Sequence, residues 1–248
     1  MKADRFKKVG IQRELHLSWF DQALRLHATG FDKRAARQEI YKYLDHAPEF
    51  STPPTEQAKT YIANPLVKTW ISPDKDLESL RDDLFEAVQK DPTLRLPAHW
   101  ALLGAAYPFW FEVAAIVGRL LNLQDQVTHS QIVARLKEQF GDRQTVSRRA
   151  RYIIRSMVSW GVLKDSEVKG CYEKSKTQLI ENATMGALML EAGLRAKPTA
   201  KATIRDLMAF PGFFPFVLPS MTGSAVTQEC PRIELLRYGW EDEVLQLI

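Results

Sequence analysis

Cysteine is nearly missing from this chain, with two residues, Cys171 and Cys230, among 248. That excludes a disulfide framework and any cysteine-built zinc site. The five histidines (16, 27, 46, 99 and 129) include no i, i+4 pair, so no metal-ligand set can be read from them. No G-x-x-x-x-G-K-[ST], no G-x-G-x-x-G after a strand and no G-x-S-x-G is present. The paired carboxylates Asp82-Asp83 and Glu241-Asp242 are adjacent in sequence. On a helix such neighbours point about 100° apart and make poor acid/base partners. These absences predict a protein without catalysis, cofactor or metal; a nuclease assembled from dispersed acids is the one form of catalysis they leave open. The start, Met1-Lys-Ala-Asp-Arg-Phe-Lys-Lys, is polar and unlike a signal peptide. With so little cysteine this predicts a reduced, cytoplasmic setting, in which the sequon Asn182-Ala-Thr184 has no meaning.

Long apolar runs are also scarce. Trp100 to Gly118 holds one charge, Glu112, in nineteen residues, just long enough to cross a bilayer. Pro108 and Glu112 near its middle, the many Ala and Gly, and the lack of a second span predict no membrane crossing. A buried helix, or two pieces broken near Pro108, is expected at the hydrophobic centre.

Elsewhere helical periodicity dominates, in a composition of 45% apolar and 26% charged residues typical of globular proteins. Helices are expected at 13–27, 33–44 with Asp32 as its cap, 57–71 with an irregularity at Pro65, and 77–89. Residues 45–55, with three prolines, read as loop. Residues 49–97 carry nine acids and six bases, a poor place for phosphates. Lys2, Arg5, Lys7, Lys8 and Arg13 form a basic arm, suited either to a DNA groove, with Lys7 and Lys8 as contacts, or to a solubilising tail. After residue 176, helices at 177–196 and 203–209, an aromatic break over 210–219 and a strand at 232–237 predict a small α+β module. Its pattern is also that of a degenerate second copy of the central motif described next. Buried packing is expected for the Phe210–Phe216 cluster.

The richest segment is Asp142 to Leu163, DRQTVSRRARYIIRSMVSWGVL. From Arg143 to Arg155 it has five arginines and no acid. Val146, Ala150, Ile153 and Met157 nevertheless fall on one helical face. Arg148, Arg151, Tyr152, Arg155 and Ser159 fall on the other, where guanidinium forks match phosphates and guanine edges. A shorter amphipathic helix, 128–140, precedes it, capped by Thr128 or Ser130. Gly141-Asp142 makes the break, with Asp142 placed to cap the second helix. Trp160-Gly161 ends that helix. Val162–Lys164 and Cys171–Glu173 then flank a polar turn. Residues 128–176 hold eleven Lys/Arg against five acids, net +6, whereas the whole chain is +4. Positive charge is concentrated on this segment, as expected of a phosphate binder.

Helix, tight turn, basic helix, glycine stop and hairpin over residues 126–176 resembles a bacterial winged helix-turn-helix. The resemblance implies double-stranded DNA binding. Gln144, Thr145, Ser147, Arg148, Arg151, Tyr152 and Arg155 would lie in a major groove, with Lys164 and Lys169 of the wing on flanking phosphate. Residues 10–140 show a second similarity. A helical hairpin with a Gly30-Phe-Asp link, the Ser51-Thr-Pro-Pro-Thr loop, a Leu-rich segment and the step Phe109-Trp-Phe-Glu112 are similar in order to BrxA, a helical component of bacterial BREX phage-defence systems. That similarity implies an accessory, DNA-binding role beside other protein subunits.

The expectation is a mainly α protein: a helical N-terminal domain (1–97), a central winged helix-turn-helix (98–176) and a C-terminal α+β module (177–248). The alternatives are a transcriptional regulator, or a scaffold whose winged helix docks a partner protein.

Overall fold

Polar caps set where most helices begin. In the computed structural model, which describes residues 5–6, 9–238 and 242–248, Asp32 accepts from the amides of Arg34 and Ala35. Thr55, Asn182, Thr203 and Thr222 each accept from the amide three residues on. Thr128 does the same and forms a capping box with Gln131. The chain is mainly α, with eleven α-helices and three small sheets among the described residues.

Among the described residues, the N-terminal part contains the α-helices α1 (Leu17–Ala28), α2 (Lys33–Asp45), α3 (Glu56–Leu66), α4 (Glu78–Lys90) and α5 (Arg95–Ala106). Pro65 lies inside α3, which continues as a π-turn over Val67–Ile71, the irregularity expected there. Helix α1 begins at Leu17, four residues later than its periodicity suggests, because Leu15 is bonded to another part of the chain, as described below. The expected break at Pro108 is present: a bend of 118° separates α5, with the short turn before it, from α6 (Pro108–Leu121). Both helices are almost wholly buried, and among the described residues no single helix is long and apolar enough to cross a membrane.

The chain then runs β1 (Gln126–Thr128), α7 (His129–Phe140), α8 (Gln144–Ser159), β2 (Leu163–Asp165) and β3 (Cys171–Lys174). These strands form an antiparallel sheet in the order β1-β3-β2. Gly141 and Gly161 close α7 and α8 with φ of 82° and 70°, a region glycine enters without strain. Asp142 does not cap α8: it pairs with Lys137 at 2.7 Å. Arg143 holds the cap position, one residue later, with no side-chain bond to the helix.

Beyond β3, β4 (Gln178–Leu179) pairs in parallel with β6 (Phe216–Val217), so α9 (Ala183–Arg195) starts six residues later than its apolar pattern suggests. Strand β5 (Lys201–Thr203), α10 (Ile204–Met208), α11 (Gly223–Glu229), β7 (Ile233–Tyr238) and β8 (Asp242–Leu247) complete the chain. Their sheet is antiparallel in the order β5-β8-β7. Strand, Thr cap, helix, helix and two-strand hairpin thus occur twice, with the same sheet order. Helix α11 and strands β5 and β8 were not legible in the sequence.

One apolar cluster extends from Ile11 to Leu245 and contains all three segments. At its centre the rings of Trp100, Trp110 and Trp160, from α5, α6 and the end of α8, lie 5.0–6.1 Å apart. The Phe210–Phe216 segment is part of this core. Trp100 Nε1 donates to the carbonyl of Gly212 at 3.1 Å, and a Cβ on Gly118 of α6 would come within 2.9 Å of the Pro211 carbonyl oxygen.

Candidate nucleic-acid interface

Helix α8 is anchored by the apolar face expected of it. Val146, Ala150, Ile153, Ile154 and Met157 are all fully buried, against α6, α7 and β2. Its opposite face divides into two halves. At the leading end Gln144, Thr145, Arg148 and Arg151 are exposed, and Ser147 is half-buried. In the trailing half Tyr152 and Arg155 are half-buried, because residues 11–16 and the loop 49–55 stand beside them.

The trailing half is stitched to that N-terminal segment. The Leu15 amide donates to Ser156 Oγ at 2.8 Å, while Ser159 Oγ and Trp160 Nε1 donate to the Leu15 carbonyl at 3.2 and 2.8 Å. Ser159 is exposed, as its periodicity suggests, yet its hydroxyl is a structural contact. So is Arg5 of the basic arm: buried, it donates to Asp76 at 3.1 Å and to the Arg195 carbonyl at 3.0 Å. Lys7 and Lys8 lie outside the described residues.

Pairing sorts the cations further. Arg155 holds Asp165 of β2 through two bonds of 2.7 and 2.8 Å, which with its Coulomb attraction raises its pKa despite partial burial. Lys164 pairs with Glu173 across the hairpin at 2.8 Å, and Arg135 and Lys137 of α7 pair with Glu138 and Asp142. Arg143, Arg148, Arg149, Arg151 and Lys169 have no ion-pair partner among the described residues. Burial and the neighbouring Arg148 charge lower the pKa of Arg149, as expected of crowded like charges. The pKa of His129, at the start of α7, is likewise lowered by burial and by Arg151.

Arg143 and Arg149 therefore join the leading-end cluster although neither was a predicted contact. The density of arginine without acid between 143 and 151 was the available signal for both. The predicted Arg155 and Lys164 sit where expected, but each already holds a carboxylate. Lys169 is exposed in the hairpin turn.

Two other groups invite a catalytic reading. His99 is fully buried; its Nδ1 accepts from Trp70 Nε1 at 2.9 Å, so the proton sits on Nε2, 3.1 Å from Asp21 Oδ1. Both ring nitrogens are occupied, and burial lowers its pKa despite the attraction of Asp21. Glu191, also fully buried, is bonded by Arg195, Arg232 and the Cys230 thiol. Both arrangements bind one element to another. Among the described residues no group of three or more His, Cys, Asp or Glu side chains is placed to hold a metal ion.

Comparison of the chain with protein-family models, with curated proteins and with solved structures gave no match in any of the three.

Proposed function

We propose that residues 126–174 are a winged helix-turn-helix that binds double-stranded DNA through the leading half of α8. The observation that supports this most is the set of unpaired arginines 143, 148, 149 and 151, gathered at one helix end while Arg135, Lys137, Arg155 and Lys164 nearby hold acids. Four arginines clustered without carboxylates, beside exposed Gln144 and Thr145, suit a polyanion. Base contacts from a recognition helix come mainly from its leading end, and here that is also the accessible end. Gln144, Thr145, Ser147 and Arg148 are assigned to base edges or adjacent phosphates. Arg143, Arg149, Arg151 and Lys169 are assigned to the backbone. Phosphate contacts fix affinity and position, not sequence choice. The similarity of residues 10–140 to BrxA makes a phage-defence complex the favoured setting.

The test is fluorescence anisotropy on a mixed-sequence blunt duplex of about 30 base pairs, enough for several helical turns. Wild type and an Arg148/Arg149/Arg151→Ala variant are titrated across a salt series, both shown folded by circular dichroism. Wild-type binding should weaken steeply with salt, and the variant should lower the slope of log K against log salt by up to about 3. Equal binding by the two proteins would remove α8 from the interface.

A further inference from the structure

The segment that covers the trailing half of α8 does not seal it. Between them lies an open cleft of about 720 Å³, within the range that holds a small organic ligand. One wall is Arg151, Tyr152 and Arg155 of α8; the facing wall comes from residues 13–19 and 49–62. The lining is flat and apolar in one part. Phe50, half-buried, stacks on Trp19 with ring centroids 5.5 Å apart and planes 21° apart, and Tyr152 stands on the opposite wall.

The cleft carries charge of both signs. Arg13 and Arg151 are exposed and have no ion-pair partner among the described residues. Arg155 adds a third guanidinium, held by Asp165. Glu14 and Glu49 also line the cleft; Glu49 accepts from Ser18 Oγ at 2.6 Å, and Glu14 lies 3.8 Å from His16 Nε2. A ligand matched to this lining has a flat ring for the aromatic surfaces, an anion for the free arginines and hydrogen-bond donors for the carboxylates. An inorganic anion lacks the ring, and an apolar ligand leaves the arginines unmatched.

We infer that this cleft binds a nucleotide, with its base on Phe50 and Tyr152, its phosphate on Arg13 and Arg151, and its sugar hydroxyls or exocyclic amino group toward Glu14 and Glu49. That chemistry has two sources, a free mononucleotide or an unpaired nucleotide at a DNA end or mismatch. In either case the site shares Arg151 with the duplex-binding face, so occupancy of the cleft is coupled to α8. The site itself stands on the cleft's lining and does not require the duplex reading.

The test uses the full chain and two kinds of probe. Calorimetry with the four deoxynucleoside 5′-monophosphates, with adenosine and with inorganic phosphate reads the free source. Anisotropy with a blunt duplex and with the same duplex carrying a three-nucleotide overhang reads the DNA source. Saturable binding of a monophosphate, weakened about tenfold by Phe50→Ala and by Arg151→Ala, supports the free nucleotide. Tighter binding of the overhang duplex than of the blunt one, with that gain lost in the same variants, supports the DNA end. Phe50→Ala should leave blunt-duplex binding unchanged. If neither probe gains over its control, or both variants bind as wild type does, the inference is overturned. Failure of the blunt duplex alone would instead overturn the proposed function and leave the cleft standing.

Discussion

Residues 126–174 and 201–247 pass through the same succession of elements, and in each a threonine ending the first strand caps the first helix. They differ in what that succession carries. The first unit has ten Lys/Arg against five acids, the second four against six, so their net charges are +5 and −2. The second helix has sixteen residues in one and seven in the other. The link between helices is three residues in the first unit and fourteen in the second, where the added chain puts Phe213, Phe214 and Phe216 into the core. The arginines separate most clearly. In the first unit four are left unpaired at one helix end. In the second, Arg205 is the one arginine without an ion-pair partner among the described residues, whereas Arg232 binds Glu191 and Asp83 at 2.7 and 2.6 Å, and Arg237 holds Glu243 at 3.4 Å. One topology thus serves as a candidate binding surface and as a packing module, and the side chains left without partners distinguish the two.

The largest effect expected is on the paired side of this contrast. Glu191→Ala takes the carboxylate from Arg195 and leaves Arg232 with Asp83 alone, and should destabilise the protein by about 3–5 kcal/mol in urea unfolding. A loss below about 1 kcal/mol would put Arg232 on the same footing as a surface arginine.

Next comes the stitch that covers the trailing half of α8. Ser156 is fully buried, and Ser156→Ala deprives the Leu15 amide of its acceptor. A cost of about 1–3 kcal/mol is expected. Tyr152 and Arg155 should also become more accessible, which hydrogen exchange of residues 13–17 would register as faster opening.

Acid should loosen the fold moderately. His27, His99 and His129 all have pKa values below the ordinary 6.5, each chiefly through burial. The folded state therefore binds fewer protons than the unfolded chain between those values and 6.5. Stability is fully present above about pH 6.5 and is lost as the pH falls through the lowered folded values. Melting temperatures at pH 8, 7, 6 and 5 should trace that decline, and His99→Gln should flatten it. A slope unchanged by His99→Gln would assign the loss to other groups.

The smallest effect is on the unpaired side. Arg148→Ala should change stability by no more than about 0.5 kcal/mol, since it removes an exposed group with no partner. A marked destabilisation would mean that this arginine is structural, and the contrast between the two units would blur.

The basic unit was the more legible of the two. Its strong amphipathic period, its glycine stops and its acid-free arginine run are local signals, and α7, α8 and the hairpin lie within two residues of where they point. The bend at Pro108 and the caps at Asp32 and Thr128 were local too. The second unit was only partly legible: α10 and β7 lie within one residue of the expected 203–209 and 232–237, but α11 has seven residues and β5 three. Segments of that length show no measurable period, and pairing with β8, more than forty residues away, is what makes β5 a strand. The start of α9 was misjudged for the same reason: Gln178 and Leu179 fit a helix locally but pair with Phe216 and Val217.

The sequence by itself determined that the chain is mainly helical, where most helices start and stop, and that positive charge gathers between 126 and 176. These follow from caps, period and composition, which act over a few residues. Only the tertiary structure decided which arginines are available. Arg155 and Lys164 meet carboxylates that are ten and nine residues away and brought close by the hairpin, and Arg5 is taken into the fold 190 residues from its carbonyl partner. Nor could the sequence determine that Leu15 would bridge to Ser156 and Trp160 and leave a cleft beside Tyr152. Ion pairs and buried hydrogen bonds form at contact distance in space, and spacing along the chain does not encode that distance.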